Sequence, residues 1–456
     1  MNVYCIMAEL CKRIRSLTKD EQSRLFRKYF AHCTEVDSIV ENAFSFFSKK
    51  AGNAYLYDSL FDEQIDAILD YVDNCDSEHW MYLLVYLDGL FSVEKNFEHF
   101  CSKNRGDMQN VYYFHSLFEN DLGLLLPNFK SKWLKKKAHT PSELNEDPIS
   151  VLSEYLWIDK TNDWTVTNVY SPDWNWNDNN PYTIVCSPLS KVCPFEYSTH
   201  ELPEQNTFYI TEYIDEEQRK MITRIEETLS YANRKNAGIV LFPELMISLE
   251  TQSACSDIIK KHWEYKYPRL VCLPSCEYNV GNEWFNRTRI LNDSGEIVLV
   301  YNKQQAFQYE KNGVKYFEPI KSDHKINIIH IKGLGRVGLV ICADIFNTEI
   351  QEILYEKYKV DLLLVMSYTS GTDRFFREME TAKKYSCDLV WCNSCSAYAE
   401  DSTDKCIVVY FSSGHKDCEF NKIQKCNKVV CSGCAISIVL SPKHNGIGKI
   451  EQDFYN

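Results

Sequence analysis

Three side chains of different chemistry stand at the ends of apolar runs in this sequence. Glu244, Lys303 and Cys342 each lie within about three residues of the end of such a run. A thiol at the end of a buried strand is held in a fixed position, and the turn that follows can direct backbone N–H groups at a developing negative charge. A carboxylate can act as the base for the thiol, and a lysine can supply a cation. Together the three predict a nucleophilic site.

Each of these residues has a structural explanation when it is taken alone. A cysteine in an apolar strand is usually a small buried hydrophobe, and this chain has 19 cysteines. Glu244 could equally cap the helix that follows it, and Lys303 could be a solvated charge at a strand end. The occurrence of all three at strand ends favours the functional interpretation.

The three segments resemble the motifs of the nitrilase, or carbon–nitrogen hydrolase, superfamily. The family pattern is an apolar strand into Phe-Pro-Glu, then Tyr-x-Lys after a glycine turn, then Gly-x-x-x-Cys-x-Asp. This chain carries Phe242-Pro243-Glu244, Tyr301-Asn302-Lys303 and Gly338-Leu339-Val340-Ile341-Cys342-Ala343-Asp344. The resemblance covers somewhat over half of the chain. It implies an α/β fold, a four-layer α-β-β-α nitrilase-like sandwich with its site between the sheets.

The resemblance also implies a role for each residue. Cys342 attacks an amide or nitrile to form a thioester, Glu244 is the general acid and base, and Lys303 with the backbone N–H of Ala343 stabilises the developing anion. A second glutamate usually orients the site, and Glu310 is the leading candidate. Glu318 is its rival, because some family members carry an acid near an aromatic-Pro segment. No metal and no organic cofactor is expected, and family members commonly form dimers or larger homo-oligomers.

Composition excludes several classes of protein. The chain is 45% hydrophobic and 14% aromatic, which is too apolar for a disordered protein. Its net charge of −14 argues against a general nucleic-acid binder or a binder of acidic membranes. No apolar stretch reaches the length of a membrane-spanning helix, and the charged N-terminal segment does not resemble a signal peptide. We therefore expect a protein of the cytoplasm with no membrane association.

The 19 cysteines support the same expectation. An odd number scattered through apolar segments indicates reduced thiols rather than a disulfide framework. Two C-x-x-C pairs, at Cys392 and Cys395 and at Cys431 and Cys434, raise the alternative of a structural zinc ion. The long gap between the pairs and their position in strand-like runs argue against that alternative, since residues three apart in a strand face opposite ways.

The first 150 residues predict an all-α domain of five to eight helices. Apolar residues recur at helical spacing from Val3 to Ile14, and Thr18 with Glu21 forms a capping-box sequence before the next helix. Helical patterns continue to the segment Val111–Leu125. This division predicts a helical domain over residues 1–150, a linker over 151–180 and the hydrolase domain over 181–456. The helical domain is predicted to dock a protein partner or to regulate the enzyme.

Three functions remain open from the sequence. The first is hydrolysis of a small amide, nitrile or carbamoyl compound. The second is an effector or scaffold role in a multi-protein assembly, such as an antiviral defence system, that uses the nitrilase fold. The third is acyl transfer, in which an amine replaces water at the thioester. The sequence does not identify the substrate.

Overall fold

The structure of the chain is a computed structural model. It describes residues 3–44, 46–47, 60–91, 112–114, 118–119, 123–128, 147–152, 155–159, 163–171, 174, 176, 181–201, 205–261, 267–398, 405–413, 420–425, 433–440 and 449–454. The chain divides into two compact units, the first comprising Met1–Lys130 and Lys136–Asn162, the second Ser131–Lys135 and Asp163–Asn456. Within the described residues, no helix combines the length and the apolar character that a membrane crossing requires.

Helices open the first unit, as the sequence predicts. They are α1 (Val3–Ser16), α2 (Lys19–His32), α3 (Val36–Ala43), α4 (Asp62–Asn74) and α5 (Ser77–Leu90). The predicted capping box at the start of α2 is confirmed, because the Glu21 N–H donates to Thr18 Oγ1 and the Thr18 N–H donates to Glu21 Oε2. The apolar face of α1, which includes Leu10 and Ile14, is fully buried.

The first unit also contains strands that the sequence analysis did not predict. They are β1 (Tyr112–Phe114), β2 (Phe118–Glu119), β3 (Gly123–Pro127) and β4 (Tyr155–Asp159), of which the last three form an antiparallel sheet. The helix predicted over Val111–Leu125 is therefore wrong. Short apolar runs rich in aromatic residues suit strands, and periodicity alone cannot distinguish them from helix.

Strands dominate the second unit. In chain order they are β5 (Thr165–Tyr170), β6 (Tyr182–Cys186), β7 (Phe195–His200), β8 (Thr207–Tyr213), β9 (Ala237–Leu241), β10 (Leu270–Cys272), β11 (Cys276–Val280), β12 (Glu283–Asn292), β13 (Ile297–Asn302), β14 (Gln308–Lys311), β15 (Val314–Phe317), β16 (Lys325–Ile331), β17 (Gly335–Ile341), β18 (Leu362–Ser367), β19 (Asp388–Asn393), β20 (Cys406–Phe411), β21 (Phe420–Gln424), β22 (Cys434–Leu440) and β23 (Lys449–Phe454). The α-helices are α6 (Asp215–Arg234), α7 (Leu249–Lys261), α8 (Thr348–Gln351) and α9 (Asp373–Lys384).

Two large mixed sheets form the centre of this unit. The first sheet includes, in spatial order, β5-β16-β17-β18-β19-β20-β21, and β17, β18 and β19 run parallel. The second sheet has the order β11-β12-β10-β9-β6-β22-β23, with β13 paired to β12. A smaller sheet has the order β14-β15-β8-β7. The two large sheets carry all three of the predicted strand ends.

Helices cover an outer face of each large sheet. Met221 of α6 and Ile258 of α7 pack against Val240 of β9 in one core cluster. On the other large sheet, the ring of Phe375 in α9 stacks on Trp391 of β19 at a centroid distance of 5.0 Å. Every residue of β9 and of β17 is buried, as expected for strands covered on both faces of their sheets. The predicted α-β-β-α arrangement is confirmed.

The boundary between the units differs from the prediction. The predicted linker, residues 151–180, contains β4 in the first unit and β5 in the second, and the division falls at Asn162. The Tyr155 N–H at the start of β4 donates to Asp88 Oδ1 at 3.0 Å, and the Tyr155 hydroxyl donates to the Phe91 carbonyl. The predicted linker is wrong because its aromatic residues belong to strands of the two cores.

Candidate active site

The three predicted side chains meet where strands from both large sheets end. Glu244 follows β9 and Lys303 follows β13 of the second sheet, whereas Cys342 follows β17 of the first. The Glu244 N–H donates to the carbonyl of Ser367, the last residue of β18, and so links the two sheets at this point. Glu244 and Lys303 are each 1% exposed and Cys342 is 2% exposed. The cluster is therefore enclosed.

Lys303 is held between two carboxylates. Its Nζ donates to Glu244 Oε1 at 2.7 Å and to Glu318 Oε2 at 2.6 Å, and it lies 6.0 Å from the centroid of the Phe307 ring. Burial alone would lower the pKa of Lys303, but the charges of the two carboxylates raise that pKa well above its usual value. The ammonium group therefore keeps its charge at neutral pH.

Both oxygens of Glu244 accept hydrogen bonds. Oε1 accepts from Lys303 and from Asn286 Nδ2, and Oε2 accepts from the Tyr368 N–H at 3.0 Å. Burial raises the pKa of Glu244; the charge of Lys303 opposes this effect and that of Glu318 adds to it. A carboxyl group with a raised pKa is suited to taking and returning a proton near neutral pH.

Asn286 joins the two glutamates of the cluster. Its Nδ2 donates to Glu244 Oε1 and to Glu318 Oε1, each at 2.9 Å, and its backbone carbonyl accepts from the Lys303 N–H at 2.7 Å. Asn286 is fully buried in β12. Asn286 was not predicted from the sequence. The available signal was an asparagine inside a strand, where asparagine is depleted and a buried amide needs partners.

The backbone of Cys342 has an uncommon conformation. Its φ is 49°, in the left-handed region that costs a non-glycine residue about 1–3 kcal/mol. Asp344 supports this turn, since its Oδ2 accepts from the Ile341 N–H and the Tyr301 hydroxyl and its Oδ1 accepts from the Gln304 N–H. Asp344 thus ties the turn that carries the thiol to the segment that follows β13.

The surroundings of Cys342 favour the protonated form of its thiol. Burial raises the pKa of Cys342 well above its usual value; the charges of Glu244 and Glu318 add to this effect and that of Lys303 opposes it. A hydrogen bond between Glu244 and the thiol raises the pKa further. Attack by this thiol therefore requires a base that takes its proton, and the adjacent carboxylate is that of Glu244.

Ala343 lies where a backbone donor is available. It belongs to the first turn of a 3₁₀ helix, Cys342–Phe346, that begins at the thiol. The first N–H groups of a helix have no acceptor within that helix. The Ala343 N–H is therefore a donor next to the nucleophile that the helix itself does not use.

Glu318, and not Glu310, is the second glutamate of the cluster. Glu318 is 3% exposed and accepts hydrogen bonds from Lys303 and from the Phe307 N–H at 3.0 Å. Glu310 is exposed on β14, where it lies opposite Lys315 of β15. The prediction of Glu310 is wrong because the β14–β15 hairpin carries the chain away from Lys303 and then returns Glu318 to it.

The two C-x-x-C pairs of the zinc alternative lie only partly within the described residues. Cys392, Cys395 and Cys434 are buried and form no disulfide bond within the described residues, whereas Cys431 lies outside those residues. Among the described residues, no group of three or more His, Cys, Asp or Glu side chains is placed to hold a metal ion.

Comparisons with known proteins find solved structures that are similar to this chain. No protein-family model and no curated protein sequence matches the chain. Similar solved structures include an amidase from Nesterenkonia sp., with 13% identity, a TM-score of 0.41, and coverage of 59% of this chain and 93% of that one. Saccharomyces cerevisiae Nit3, a member of the nitrilase superfamily, has 13% identity, a TM-score of 0.40 and coverage of 58% and 92%. The C. elegans NitFhit protein has 17% identity, a TM-score of 0.36 and coverage of 54% and 61%.

These neighbours include members of the superfamily that the three motifs resemble. The likeness extends over the carboxyl-terminal part of the chain, and at these identities and TM-scores it concerns the fold alone. No activity is carried over from it.

Proposed function

We propose that the second unit is a thiol-dependent carbon–nitrogen hydrolase that cleaves a small amide or nitrile through a thioester on Cys342. The observation that carries the proposal is the buried contact of Lys303 with Glu244 and Glu318 beside the Cys342 thiol. It supports hydrolysis because a nucleophile, a base and a fixed cation stand together in one enclosed cluster. The motif resemblance to the nitrilase superfamily supports the same reaction.

The first half-reaction acylates the thiol. Glu244 takes the proton of Cys342 as sulfur attacks the carbonyl carbon of the amide, and the carbonyl oxygen becomes an anion. Lys303 Nζ and the Ala343 N–H stabilise that charge. The carbon–nitrogen bond then breaks, and Glu244 returns the proton to the departing nitrogen. The products of this step are ammonia or an amine and a thioester on Cys342.

The second half-reaction restores the thiol. Glu244 takes a proton from water, the resulting hydroxide attacks the thioester carbon, and the same two donors stabilise the second oxyanion. The carbon–sulfur bond breaks, the carboxylic acid leaves, and Glu244 returns the proton to Cys342. Glu318 and Asn286 hold Lys303 and Glu244 in place throughout.

The enclosure of the cluster supports a small substrate. Glu244, Lys303 and Cys342 are all nearly inaccessible to solvent. Exclusion of water strengthens the electrostatic interactions on which this mechanism depends. An extended or bulky acyl group does not suit a site of this burial, which favours small linear amides and nitriles.

Incubation of purified protein with a cell metabolite extract tests the proposal. Wild type is compared with Cys342→Ala and with the matched control Cys255→Ala, which removes a buried thiol of α7. Hydrolysis predicts that wild type and the control, but not Cys342→Ala, release ammonia or an amine together with a new carboxylic acid. A new acylated amine that depends on Cys342 would instead indicate acyl transfer. Identical metabolites in all three samples would contradict catalysis and favour the scaffold function.

A further inference from the structure

Glu277 is a buried carboxyl group that the proposed reaction does not use. It lies in β11 and is 5% exposed. Its Oε1 accepts a hydrogen bond from the Ile210 N–H at 2.7 Å, and its own N–H donates to the Tyr213 hydroxyl at 2.9 Å. Oε1 of Glu277 is thus engaged as an acceptor, and among the described residues no hydrogen bond to its Oε2 is found.

Asn286 is the cross-strand neighbour of Glu277. The two residues lie directly opposite each other in the antiparallel β11–β12 ladder. Side chains of such a pair share one face of the sheet, with Cβ atoms about 4.5–5.5 Å apart. The same face of β12 directs Asn286 Nδ2 at Glu244 and Glu318.

Asn286 has an unused acceptor. Among the described residues, its Oδ1 is buried and has no hydrogen-bond partner. A 180° flip of the Asn286 side-chain amide is excluded, because its oxygen would then face the carboxylates of Glu244 and Glu318. Buried acceptors are nearly always paired, so a donor is expected next to this oxygen.

Glu277 can supply that donor when it is neutral. Burial raises the pKa of Glu277 to about 8; the charges of Glu318 and Glu244 add to this effect, whereas the Ile210 hydrogen bond and Lys303 oppose it. A protonated carboxyl group carries one O–H donor. With Oε1 engaged as an acceptor, the proton belongs on Oε2.

We propose that the neutral carboxylic acid of Glu277 donates a hydrogen bond from Oε2 to Asn286 Oδ1 and so fixes the amide that joins Glu244 to Glu318. Glu277 is then a positioning residue, which acts through Asn286 and does not touch the substrate. The importance of this contact for catalysis rests on the proposed function. The hydrogen bond itself and the protonation of Glu277 do not depend on that function.

The pH dependence of stability tests the protonation. Urea unfolding of the full chain is measured between about pH 5 and pH 9 for wild type, Glu277→Gln and the exposed control Glu310→Gln. The folded-state pKa of Glu277 is raised above its unfolded value, so the folded protein holds a proton that the unfolded chain has lost. The free energy of unfolding of wild type minus that of Glu277→Gln should therefore fall as the pH rises from about 5 to about 8. The same difference taken between wild type and Glu310→Gln should not change with pH. If the difference between wild type and Glu277→Gln did not change with pH either, the proposal would be overturned.

Alkylation of Cys342 by 2-chloroacetamide at about pH 7 tests the positioning role. Glu277→Gln keeps an N–H donor for Asn286 Oδ1 and should label within about threefold of wild type, whereas Glu277→Met has no donor and should label about tenfold more slowly. The exposed thiol of Cys33 is the internal reference and should label equally in all variants. If Cys342 were labelled at the same rate in Glu277→Met and Glu277→Gln, the positioning role of Glu277 would be overturned.

A second comparison covers the case in which Glu277→Met does not fold. At about pH 9 the wild-type carboxyl group is ionised and has lost its donor, but Glu277→Gln retains one. The rate of Cys342 labelling in Glu277→Gln relative to wild type should then be higher at pH 9 than at pH 7, and a constant ratio would overturn the role. Neither labelling nor unfolding requires turnover, so both results stand apart from any failure to find a hydrolysed substrate.

Discussion

Lys303 is a single cation between two buried carboxylates, those of Glu244 and Glu318. Glu244, Lys303 and Cys342 were predicted together from three motifs at strand ends, since each residue alone also has a structural explanation, and the structure places them in one cluster. The network that holds them was not predictable in the same way. Asn286 and its contacts arise from the pairing of distant strands, and a single sequence does not state which strands are neighbours.

Removal of the Lys303 charge should destabilise the protein strongly. Lys303→Met leaves two buried carboxylates without their cation, and loss of one partner of a buried ion pair costs about 3–5 kcal/mol. Urea unfolding of the full chain measures this cost. In an assay with a hydrolysed substrate, loss of the same oxyanion donor should lower the rate by about 10²–10³.

Lys321→Met is the matched control for that variant. Lys321 pairs with Glu283, but both side chains are about half exposed. Exposed ion pairs contribute about 0–1 kcal/mol, so this variant should unfold close to wild type. Similar unfolding free energies for Lys303→Met and Lys321→Met would contradict the buried ion-pair cluster.

At the scale of secondary-structure elements, hairpins decide which residues reach the site. The β14–β15 hairpin separates Glu310 from Lys303 and brings Glu318 back to it, although Glu310 is nearer along the chain. The segment Val111–Leu125 shows the same limit in the first unit, where spacing alone suggested a helix and the chain forms strands. The strands β9, β13 and β17 were predictable because each is an apolar run that is followed closely by a charged residue or a thiol.

Two glutamine substitutions on this hairpin should have opposite outcomes. Both oxygens of Glu318 accept hydrogen bonds, from Asn286, Lys303 and the Phe307 N–H. Glu318→Gln places an amide NH₂ against these donors, so labelling of Cys342 by 2-chloroacetamide should slow by about tenfold or more.

Glu310→Gln should label Cys342 at the wild-type rate, since exposed substitutions away from such contacts change stability by no more than about 0.5 kcal/mol. Peptide mass spectrometry quantifies both variants. A slower rate for Glu310→Gln with an unchanged rate for Glu318→Gln would reverse the assignment of the second glutamate.

At the scale of the whole molecule, the division at Asn162 assigns β5 to the second unit. β5 runs parallel to β16, which is hydrogen-bonded to the strand that carries Cys342. Its Asn168 Oδ1 contacts His330 Nε2 of β16 at 2.9 Å, and Val169 and Tyr170 are buried. Composition suggested a linker here because the segment is polar and aromatic. Its residues are buried only through pairing with β16, about 160 positions away along the chain, and composition does not reveal that pairing.

Two truncations test this division. The fragment 163–456 retains β5 and should be soluble and label at Cys342. The fragment 181–456, which starts at the boundary predicted from the sequence, exposes the edge and the apolar contacts of β16 and should aggregate or lose labelling. Equal behaviour of the two fragments would show that β5 is dispensable. Partner docking through residues 1–150 and homo-oligomerisation remain predictions.

The dependence of Cys342 reactivity on Glu244 is the most direct test of the proposed chemistry. Full-length wild type and Glu244→Gln are treated with 2-chloroacetamide at neutral pH, and the labelling rates of Cys342 and Cys33 are followed by peptide mass spectrometry. General-base assistance is worth about 10²–10⁴ in rate, so Cys342 should label in wild type and at least 10² more slowly in Glu244→Gln, with Cys33 unchanged. Labelling of Cys342 at the same rate in both proteins, or its absence from wild type, would contradict the account.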